Sequence, residues 1–111
     1  MINTDNVDAL ADLLTQNKLT ISVAESCTGG TLASTLTSLS GASVYFDRGF
    51  VTYSNKAKQD LLGVNKDTIT KYGAVSEHVA LEMVKGVIKN STSDFAVAIT
   101  GIAGPSGGTT T

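Results

Sequence analysis

The chain has 111 residues, of which 41% are hydrophobic and 16% charged, and its formal net charge is −2. This length suits one domain with a real core, so residues 1–111 are interpreted as a single domain. The charge argues against non-specific nucleic-acid binding, and no apolar run approaches the roughly 20 residues that cross a bilayer. Cys27 is the only cysteine, which excludes an internal disulfide, and no secretory signal begins the chain. We therefore expect a cytoplasmic protein whose partner is a small molecule.

The first half of the chain alternates between helical and extended patterns. Apolar residues at helical spacing predict a helix over 5–17. A run rich in β-branched residues predicts a short strand over 20–24. This strand continues into the segment 25–30, Glu-Ser-Cys-Thr-Gly-Gly, and a second helix is expected over about 30–38. The bulky residues that follow predict an extended segment over 44–53.

The second half of the chain predicts further helices and one more strand. A helix is expected over 55–62, a shorter helical turn over 65–71, and an amphipathic helix from its cap Ser76 to about residue 88. The near-continuous apolar run over 94–100 predicts a strand covered on both faces, as in parallel sheets. The glycine-rich segment 100–108 follows it and indicates a loop.

Strands that alternate with helices indicate an α/β fold, which we predict to be a three-layer α/β/α arrangement with a mostly parallel sheet. Ligands of such sheets bind at the carboxyl ends of the strands. Both glycine-rich loops follow predicted strands. If those strands are parallel, both loops open onto the same edge of the sheet, and the sequence predicts a binding site there.

The loop after the first strand has two interpretations. Several backbone N–H groups at the start of a helix favour an anion, Thr28 adds a hydroxyl, and Gly29 and Gly30 allow close approach to the backbone. The alternative is an ordinary strand-to-helix turn with Thr28 as its cap. The second loop, 100–108, is interpreted as a flap or a surface for a flat ligand, with a disordered tail as the alternative.

Few side chains in the sequence offer chemistry. Ser26 and Cys27 are both candidate nucleophiles, and a serine needs a neighbouring base before it attacks a carbonyl-like carbon. Lys56 and Lys58 are the available bases, although most lysines are solvated surface charges. His78 is predicted to be a solvated helix residue. With one histidine and one cysteine, the sequence predicts no metal site.

Five blocks of residues occur in an order that resembles a known family. The blocks are 24–30 (AESCTGG), 49–55 with 57–58 (GFVTYSN and AK), 62–64 (LGV), 73–77 (GAVSE) and 100–105 (TGIAGP). Together they resemble the CinA C-terminal domain family, whose stand-alone members are nicotinamide-nucleotide amidases. The resemblance covers nearly the whole chain from about residue 20.

The resemblance implies hydrolysis of the carboxamide of nicotinamide mononucleotide, giving nicotinate mononucleotide and ammonia in pyridine-nucleotide salvage, without a cofactor. By matching position, Ser26 would be the nucleophile and Lys58 its base. Tyr53 would orient the base or donate to the developing oxyanion. The substrate-binding residues are expected to be Glu25, Thr28, Gly29, Gly30, Ser76, Thr100, Gly101, Ile102, Ala103 and Gly104.

Members of this family continue beyond the second glycine-rich loop, into a further strand and helices that supply a basic residue near the substrate. The chain is therefore expected to be incomplete at its C-terminus and to lack that strand and those helices, with Arg48 as its only arginine. An uncovered strand edge favours pairing, so we expect a homo-oligomer. The alternative function is a truncated, non-catalytic nucleotide-binding relative. A DNA-associated role gains no support from the charge.

Overall fold

The computed structural model describes residues 4–102, which form five α-helices and three β-strands. In chain order these are α1 (Thr4–Gln16), β1 (Ile21–Glu25), α2 (Thr31–Leu36), β2 (Phe46–Val51), α3 (Asn55–Leu62), α4 (Lys66–Tyr72), α5 (Glu77–Lys89) and β3 (Phe95–Ile99). Each predicted helix and strand is present. The segment predicted to be extended from residue 44 differs, because Gly41, with φ of 82°, starts a 3-10 turn over Ala42–Val44. Consequently β2 begins only at Phe46.

The three strands form one parallel sheet in the order β2-β1-β3. Glu25, the last residue of β1, lies opposite Val51 on one side and opposite Ile99 on the other. The register with β2 shifts once, between Ile21 and Val23. Because the strands are parallel, their carboxyl ends lie at a single edge, which confirms the predicted arrangement of the sheet.

Helices cover both faces of the sheet, and each face has its own cluster of apolar side chains. On one face α1, α2 and the 3-10 turn bury Ala11, Leu14, Ile21, Val23, Leu36, Ala42 and Tyr45. On the other face α3 and α5 bury Ala24, Leu62, Val64, Val79, Met83 and Val87. Removing this apolar area from water is the main stabilisation of such a sheet. The predicted three-layer α/β/α architecture is confirmed.

The prediction that the last strand is covered on both faces is wrong. Ala96 and Ala98 pack into the cluster formed with α5, whereas Phe95 and Val97, on the opposite face of β3, are 50% and 38% exposed. The reason is that α1 and α2 pack against β1 and do not extend over β3. Among the described residues β3 is also an edge strand. The expectation of a homo-oligomer rests on this open edge and stays a prediction.

The start of α3 is fixed by a side-chain cap. Ser54 follows β2 closely, and its hydroxyl accepts a hydrogen bond of 3.0 Å from the N–H of Ala57. The helix ends at Gly63, whose φ of 68° is the left-handed conformation that glycine adopts without strain. This short connection from β2 places the first turn of α3 beside the carboxyl edge of the sheet.

The other end of α3 is held by a very close contact with α5. A side chain on Gly86 would bring its Cβ 2.2 Å from the carbonyl oxygen of Leu62 and 2.7 Å from the Leu62 Cβ. Only glycine leaves room for this approach, so Gly86 sets the distance between the two helices. Within residues 4–102, no helix is long and apolar enough to cross a membrane.

Candidate active site

The carboxyl ends of the three strands are joined to one another by backbone hydrogen bonds. The N–H of Ser26, directly after β1, donates to the carbonyl of Ile99 at 3.0 Å. The N–H of Thr52, directly after β2, donates to the carbonyl of Glu25 at 2.8 Å. The two loops that follow β1 and β3 therefore begin side by side, as the prediction of a shared sheet edge required.

Lys58, in the first turn of α3, reaches back to this edge. Its side chain is only 1% exposed, and its Nζ lies 3.0 Å from the Oγ of Ser26. The same Nζ donates to the carbonyl oxygens of Thr52 at 3.1 Å and, at the limit of hydrogen bonding, Tyr53 at 3.5 Å. Ser26 is itself 5% exposed. The structure thus brings together the predicted nucleophile and the predicted base.

The surroundings of Lys58 favour the neutral amine. Burial lowers the pKa of Lys58, and a smaller electrostatic contribution from the nearby Cys27 opposes this shift. Within residues 4–102 the ion pairs are Asp47–Arg48 and Lys56–Asp60, so no carboxylate neutralises Lys58. A buried lysine without a counter-ion is disfavoured as the ammonium. This is the state that a lysine needs in order to act as a base.

The hydrogen-bond partners of the amine also match its donors and its lone pair. A neutral lysine has two N–H donors and one lone pair. The carbonyls of Thr52 and Tyr53 accept the two N–H groups. The third contact is with Ser26, whose Oγ accepts from the Nζ at 3.0 Å in the structure. When the amine is neutral, its lone pair takes this position and can accept the serine proton instead. The contact therefore has the geometry of a serine activated by general base catalysis.

Residue type alone left Lys56 and Lys58 as candidate bases, whereas the family resemblance implied Lys58, and the structure places the two lysines differently. Lys56 lies on the exposed side of α3, where its Nζ donates to the Asp60 carboxylate at 2.7 Å. The hydrogen bond and the charge of Asp60 raise the pKa of Lys56. Its ammonium is therefore stabilised, and of these two lysines Lys58 is the one placed to accept a proton from Ser26.

Tyr53 contacts the base through its backbone. Its ring is 66% exposed at the surface beside the site, while its carbonyl faces the Lys58 amine. Orientation of the base is therefore a property of the main chain at Tyr53. A role of the phenol toward an oxyanion stays a proposal.

Glu25 occupies the position at which the sequence indicated an anion site. Its carboxylate is 1% exposed and accepts hydrogen bonds from the N–H groups of Leu32 at 2.7 Å and Ala33 at 2.9 Å. The start of α2 is thus already capped by an internal carboxylate, and these donors are not open to a substrate phosphate. An acidic residue six positions before the start of a helix is the sequence signal for this cap.

The protonation of Glu25 reflects a balance of opposing influences. Burial alone would raise the pKa of the Glu25 carboxyl. The nearby Thr28 hydroxyl and the backbone N–H groups of Ala33, Leu32 and Gly30 outweigh it, so the pKa lies below its ordinary value; the Ala33 and Leu32 groups are hydrogen-bonded to the carboxylate. The carboxylate therefore stays ionised at neutral pH. We interpret Glu25 as a residue that holds the loop rather than one that touches a ligand.

Gly29 and Gly30 allow the chain to turn sharply between β1 and α2. Gly29 and Gly30 have φ values of 60° and 110°, a region that side chains strain. Gly30, not Thr28, is the N-cap residue of α2. Because it is a glycine, it has no side chain that could cap the helix. The alternative of an ordinary turn capped by Thr28 is therefore wrong about the cap, which Glu25 provides.

The loop after β3 comes into contact with the loop after β1. Cys27 is half-buried, and a Cβ added to Gly101 would lie 3.1 Å from its Sγ. Ile102 follows and is 49% exposed. Ala103 and Gly104, which were predicted to bind substrate, lie outside the described residues.

Ser76 and Thr100 lie in a neighbouring groove, and their hydroxyls make hydrogen bonds that stabilise the fold. The Thr100 hydroxyl donates to the carbonyl of Ala74 at 2.8 Å. The Ser76 hydroxyl donates to the carbonyl of Gly73 at 2.8 Å and accepts from the N–H of Val79 at 3.2 Å as the cap of α5. Both residues line an open groove of about 400 Å³ between β3 and the start of α5.

Two further residues complete the comparison between sequence and site. His78 stacks on the ring of Tyr72, with centroids 3.6 Å apart, and is not brought to Ser26.

Thr52 is a residue that the sequence analysis missed. It is fully buried beside the Lys58 amine, and its hydroxyl has no hydrogen-bond partner among residues 4–102. Within the same residues, no cluster of three or more metal-ligating side chains is present.

Comparison with known proteins gives a consistent family. The model of the CinA C-terminal domain matches residues 3–111. A CinA-like protein of Chlorobium limicola is 55% identical over 101 residues, which are 91% of this chain and 24% of that protein. A putative competence-damage inducible protein of Caldicellulosiruptor bescii is 52% identical over 104 residues, covering 94% of this chain and 25% of that protein. The chain spans about a quarter of the length of these curated relatives.

Solved structures show the same fold. A competence/damage inducible protein of Agrobacterium tumefaciens superposes with a TM-score of 0.93 and 48% identity, covering 96% of this chain and 65% of that one. A CinA superfamily protein of Escherichia coli gives a TM-score of 0.90 and 41% identity, covering 96% of this chain and 62% of that one. With the family model matching almost every residue, the chain belongs to the CinA C-terminal domain family.

Proposed function

We propose that this chain is an amidohydrolase that hydrolyses the carboxamide of nicotinamide mononucleotide to nicotinate mononucleotide and ammonia. The observation that carries the proposal is the buried Lys58 amine, 3.0 Å from the Ser26 hydroxyl and without a counter-charge within residues 4–102. The substrate is the one that the family resemblance implies. Because the chain spans only part of its relatives, activity of the chain itself belongs to the proposal.

The first half of the reaction transfers the acyl group to Ser26. Lys58 accepts the proton of the Ser26 hydroxyl, and the serine oxygen bonds to the carboxamide carbon, whose carbonyl electrons move onto oxygen. When this intermediate collapses, the carbon–nitrogen bond breaks and the proton on Lys58 leaves with the nitrogen as ammonia. Lys58 is then neutral again and able to activate water.

The second half of the reaction releases the acid. Lys58 takes a proton from a water molecule, and the resulting hydroxide attacks the ester carbon of the acyl-enzyme. Collapse breaks the bond to Ser26, which recovers its proton from Lys58. One water is consumed and nicotinate mononucleotide is formed. The same amine thus serves as base and acid in turn, as in other covalent acyl transfers.

The turn after Ser26 offers donors for the oxyanion. The N–H of Ser26 is bonded to Ile99, whereas the N–H groups of Cys27 and Thr28 donate to no acceptor within the described part of the chain. An N–H that directly follows a nucleophile is well placed to stabilise negative charge on the carbonyl oxygen. The exposed phenol of Tyr53 is a further donor in this proposal.

The nucleotide is proposed to lie along the two loops that begin at the carboxyl edge of the sheet. The residues that border it in this proposal are Thr28, Gly29, Gly30, Gly101, Ile102, Ala103 and Gly104. Glu25 contributes by fixing the first loop through α2. Ser76 and Thr100 shape the neighbouring groove through the backbone contacts that their hydroxyls make.

The proposal is tested by following ammonia release and nicotinate mononucleotide formation from nicotinamide mononucleotide. We expect turnover by the parent chain and a loss on the order of a hundredfold or more in Ser26→Ala. Ser40→Ala, which changes an exposed serine, is the matched control and should keep full activity. An inactive parent chain, or equal rates for parent and Ser26→Ala, would sink the proposal. Nucleotide binding by calorimetry without hydrolysis would favour a non-catalytic binding module instead.

A further inference from the structure

The hydroxyl of Thr52 is an unexplained polar group beside the candidate active site. Thr52 is fully buried, and its Oγ1 makes no hydrogen bond with any residue of the described part of the chain. An unpaired hydroxyl in the interior costs stability, and a valine of the same shape would avoid that cost. A buried hydroxyl that lowers stability in the resting state suggests that it acts in another state of the enzyme.

The strand register places this hydroxyl on the same face as Ser26. Glu25 lies opposite Val51, so Ser26 and Thr52 follow as the next pair across the two strands. Two residues earlier, Ala24 and Phe50 pair and point into the cluster formed with α5. Because side chains alternate along a strand, Ser26 and Thr52 extend toward that same face, which α3 also covers.

The Lys58 amine already contacts the backbone of Thr52. Its Nζ lies 3.1 Å from the Thr52 carbonyl oxygen. The hydroxyl of the same residue is therefore close to the amine without being bonded to it.

Proton transfer creates a need for one more acceptor. The neutral amine donates to two carbonyls, those of Thr52 and Tyr53. After Lys58 takes the Ser26 proton, it carries three N–H groups. At the same moment the Ser26 oxygen becomes bonded to the substrate carbon, and in this tetrahedral intermediate it is a weaker acceptor than the serine alkoxide. The third N–H of the ammonium is then left without a partner in a buried site.

We propose that Thr52 is a positioning residue whose hydroxyl oxygen accepts the third N–H of Lys58 once the lysine has taken the Ser26 proton. This inference rests on the proposed serine–lysine mechanism. Thr52 does not touch the substrate, and it acts by stabilising the ammonium through the lifetime of the tetrahedral intermediate. The proton stays on Lys58 until the leaving nitrogen takes it, so the hydrogen bond changes no stoichiometry.

The direct test compares Lys58 titration in four variants by NMR of the labelled lysine side chain. Ser26→Ala removes the serine acceptor and so imitates the loss that acylation causes. We expect the pKa of Lys58 to be lower in Ser26→Ala/Thr52→Val than in Ser26→Ala alone, because the hydroxyl then stabilises the ammonium. Thr52→Val by itself should leave the Lys58 pKa close to that of the parent. Ser26→Ala/Thr52→Ser keeps a hydroxyl and should resemble Ser26→Ala.

Other ionisable groups near Lys58 are the same in the parent and the four variants. Cys27, after β1, is the group whose charge acts on Lys58, while the Glu25 carboxylate is directed to α2 and the Tyr53 ring lies at the surface. A difference between the variants therefore reports on the hydroxyl at position 52. Equal Lys58 pKa values in Ser26→Ala and Ser26→Ala/Thr52→Val would overturn the inference.

Activity and stability give a second readout. In Thr52→Val we expect kcat for nicotinamide mononucleotide to fall about tenfold with an unchanged KM, since one hydrogen bond to a charged group is lost only after binding. The melting temperature should not fall, because an unpaired hydroxyl is removed. Thr52→Ser should recover kcat, and Thr52→Ala replaces the valine variant if the latter does not fold. If the parent chain hydrolyses nothing, the proposed function fails, while the NMR comparison still decides the role of Thr52.

Discussion

Ser26 and Lys58 are 32 residues apart in the chain, yet their Oγ and Nζ atoms lie 3.0 Å apart in a buried site. Two parallel strands and one short connection produce this contact. β1 ends immediately before Ser26, β2 lies beside β1, and α3 begins within a few residues of the end of β2. The first turn of α3 consequently lies over the end of β1, and Lys58 points at the serine.

Replacing Lys58 should remove activity without harming the fold. In Lys58→Met we expect the rate of amide hydrolysis to fall on the order of a hundredfold or more, because Ser26 loses its base. Stability at pH 7 should be equal or higher, since a buried amine that has no counter-charge in the described part of the chain is replaced by an apolar side chain. Lys56→Met changes an exposed lysine two residues away and should keep the parent rate. Ammonia release and thermal unfolding measure both quantities, and a fully active Lys58→Met would contradict the assignment.

The lowered pKa of Lys58 predicts two pH dependences of the same sign. Activity should rise with pH as the ammonium loses its proton, with a midpoint below the ordinary lysine range near 10.4. The free energy of unfolding should also rise with pH between the lowered pKa and that range, because the unfolded chain binds a proton there that the folded chain does not. Lys58→Met should lose this rise in stability, as measured by denaturant unfolding at several pH values. Parallel curves for the two proteins would argue against the shift.

The Glu25 carboxylate should contribute more to the free energy of unfolding than an ordinary surface acid does. Glu25→Gln keeps the shape but offers one oxygen to the N–H groups of Leu32 and Ala33, so we expect a loss of about 1–2 kcal/mol in unfolding free energy at pH 7. Because the folded pKa of Glu25 is lowered, its stabilisation is present above the unfolded value and disappears as pH falls through the folded one. The difference between parent and variant should therefore shrink below about pH 4. Glu77→Gln, on the exposed first turn of α5, serves as the control.

The contact between α3 and α5 should tolerate no side chain at position 86. In Gly86→Ala the new Cβ would overlap the Leu62 carbonyl oxygen at 2.2 Å, so the helices must separate, at a cost of about 1–3 kcal/mol. Helix propensity alone predicts the opposite sign, since alanine is favoured over glycine in a helix. Lys85→Ala, at the neighbouring exposed position, should change stability little. Denaturant unfolding of the three proteins decides between packing and propensity.

The contact between Cys27 and Gly101 should show as coupling between two substitutions. Gly101→Ala places a Cβ 3.1 Å from the Cys27 Sγ and should destabilise the loop contact and slow hydrolysis. Cys27→Ala removes that sulfur, so the double variant should lose less than Gly101→Ala alone. A double-mutant cycle on melting temperature and kcat measures the coupling. Strict additivity would show that the two loops do not pack against each other.

Much of the fold was predictable from local patterns. The bounds of α3, the capping of α5 by Ser76 and the parallel strands follow from apolar spacing, cap residues and alternation of elements. The 3-10 turn before β2 was not predicted, because bulky residues such as Val44 suit both conformations and Gly41 decides between them. The exposed face of β3 was also missed, since an apolar run does not tell which neighbours cover it.

The candidate site was predictable only in part, for a similar reason. The choice of Ser26 and Lys58 followed from matched residues, while their contact depends on how β1, β2 and α3 are arranged in space. The sequence suggested that the start of α2 would receive an anion from outside, whereas the Glu25 side chain fills it from within. The first N–H groups of a helix need hydrogen-bond acceptors, but only packing determines which acceptor binds them.

The sequence by itself determined the order of helices and strands, the parallel sheet and the residues able to perform acyl transfer, because these depend on side-chain type and on spacing along the chain. Only the tertiary structure decided that the Lys58 amine reaches Ser26, that Glu25 closes the start of α2 and that the Thr52 hydroxyl is buried without a partner among residues 4–102. Those outcomes depend on burial and on distances between residues far apart in the chain, and burial is also what lowers the pKa of Lys58.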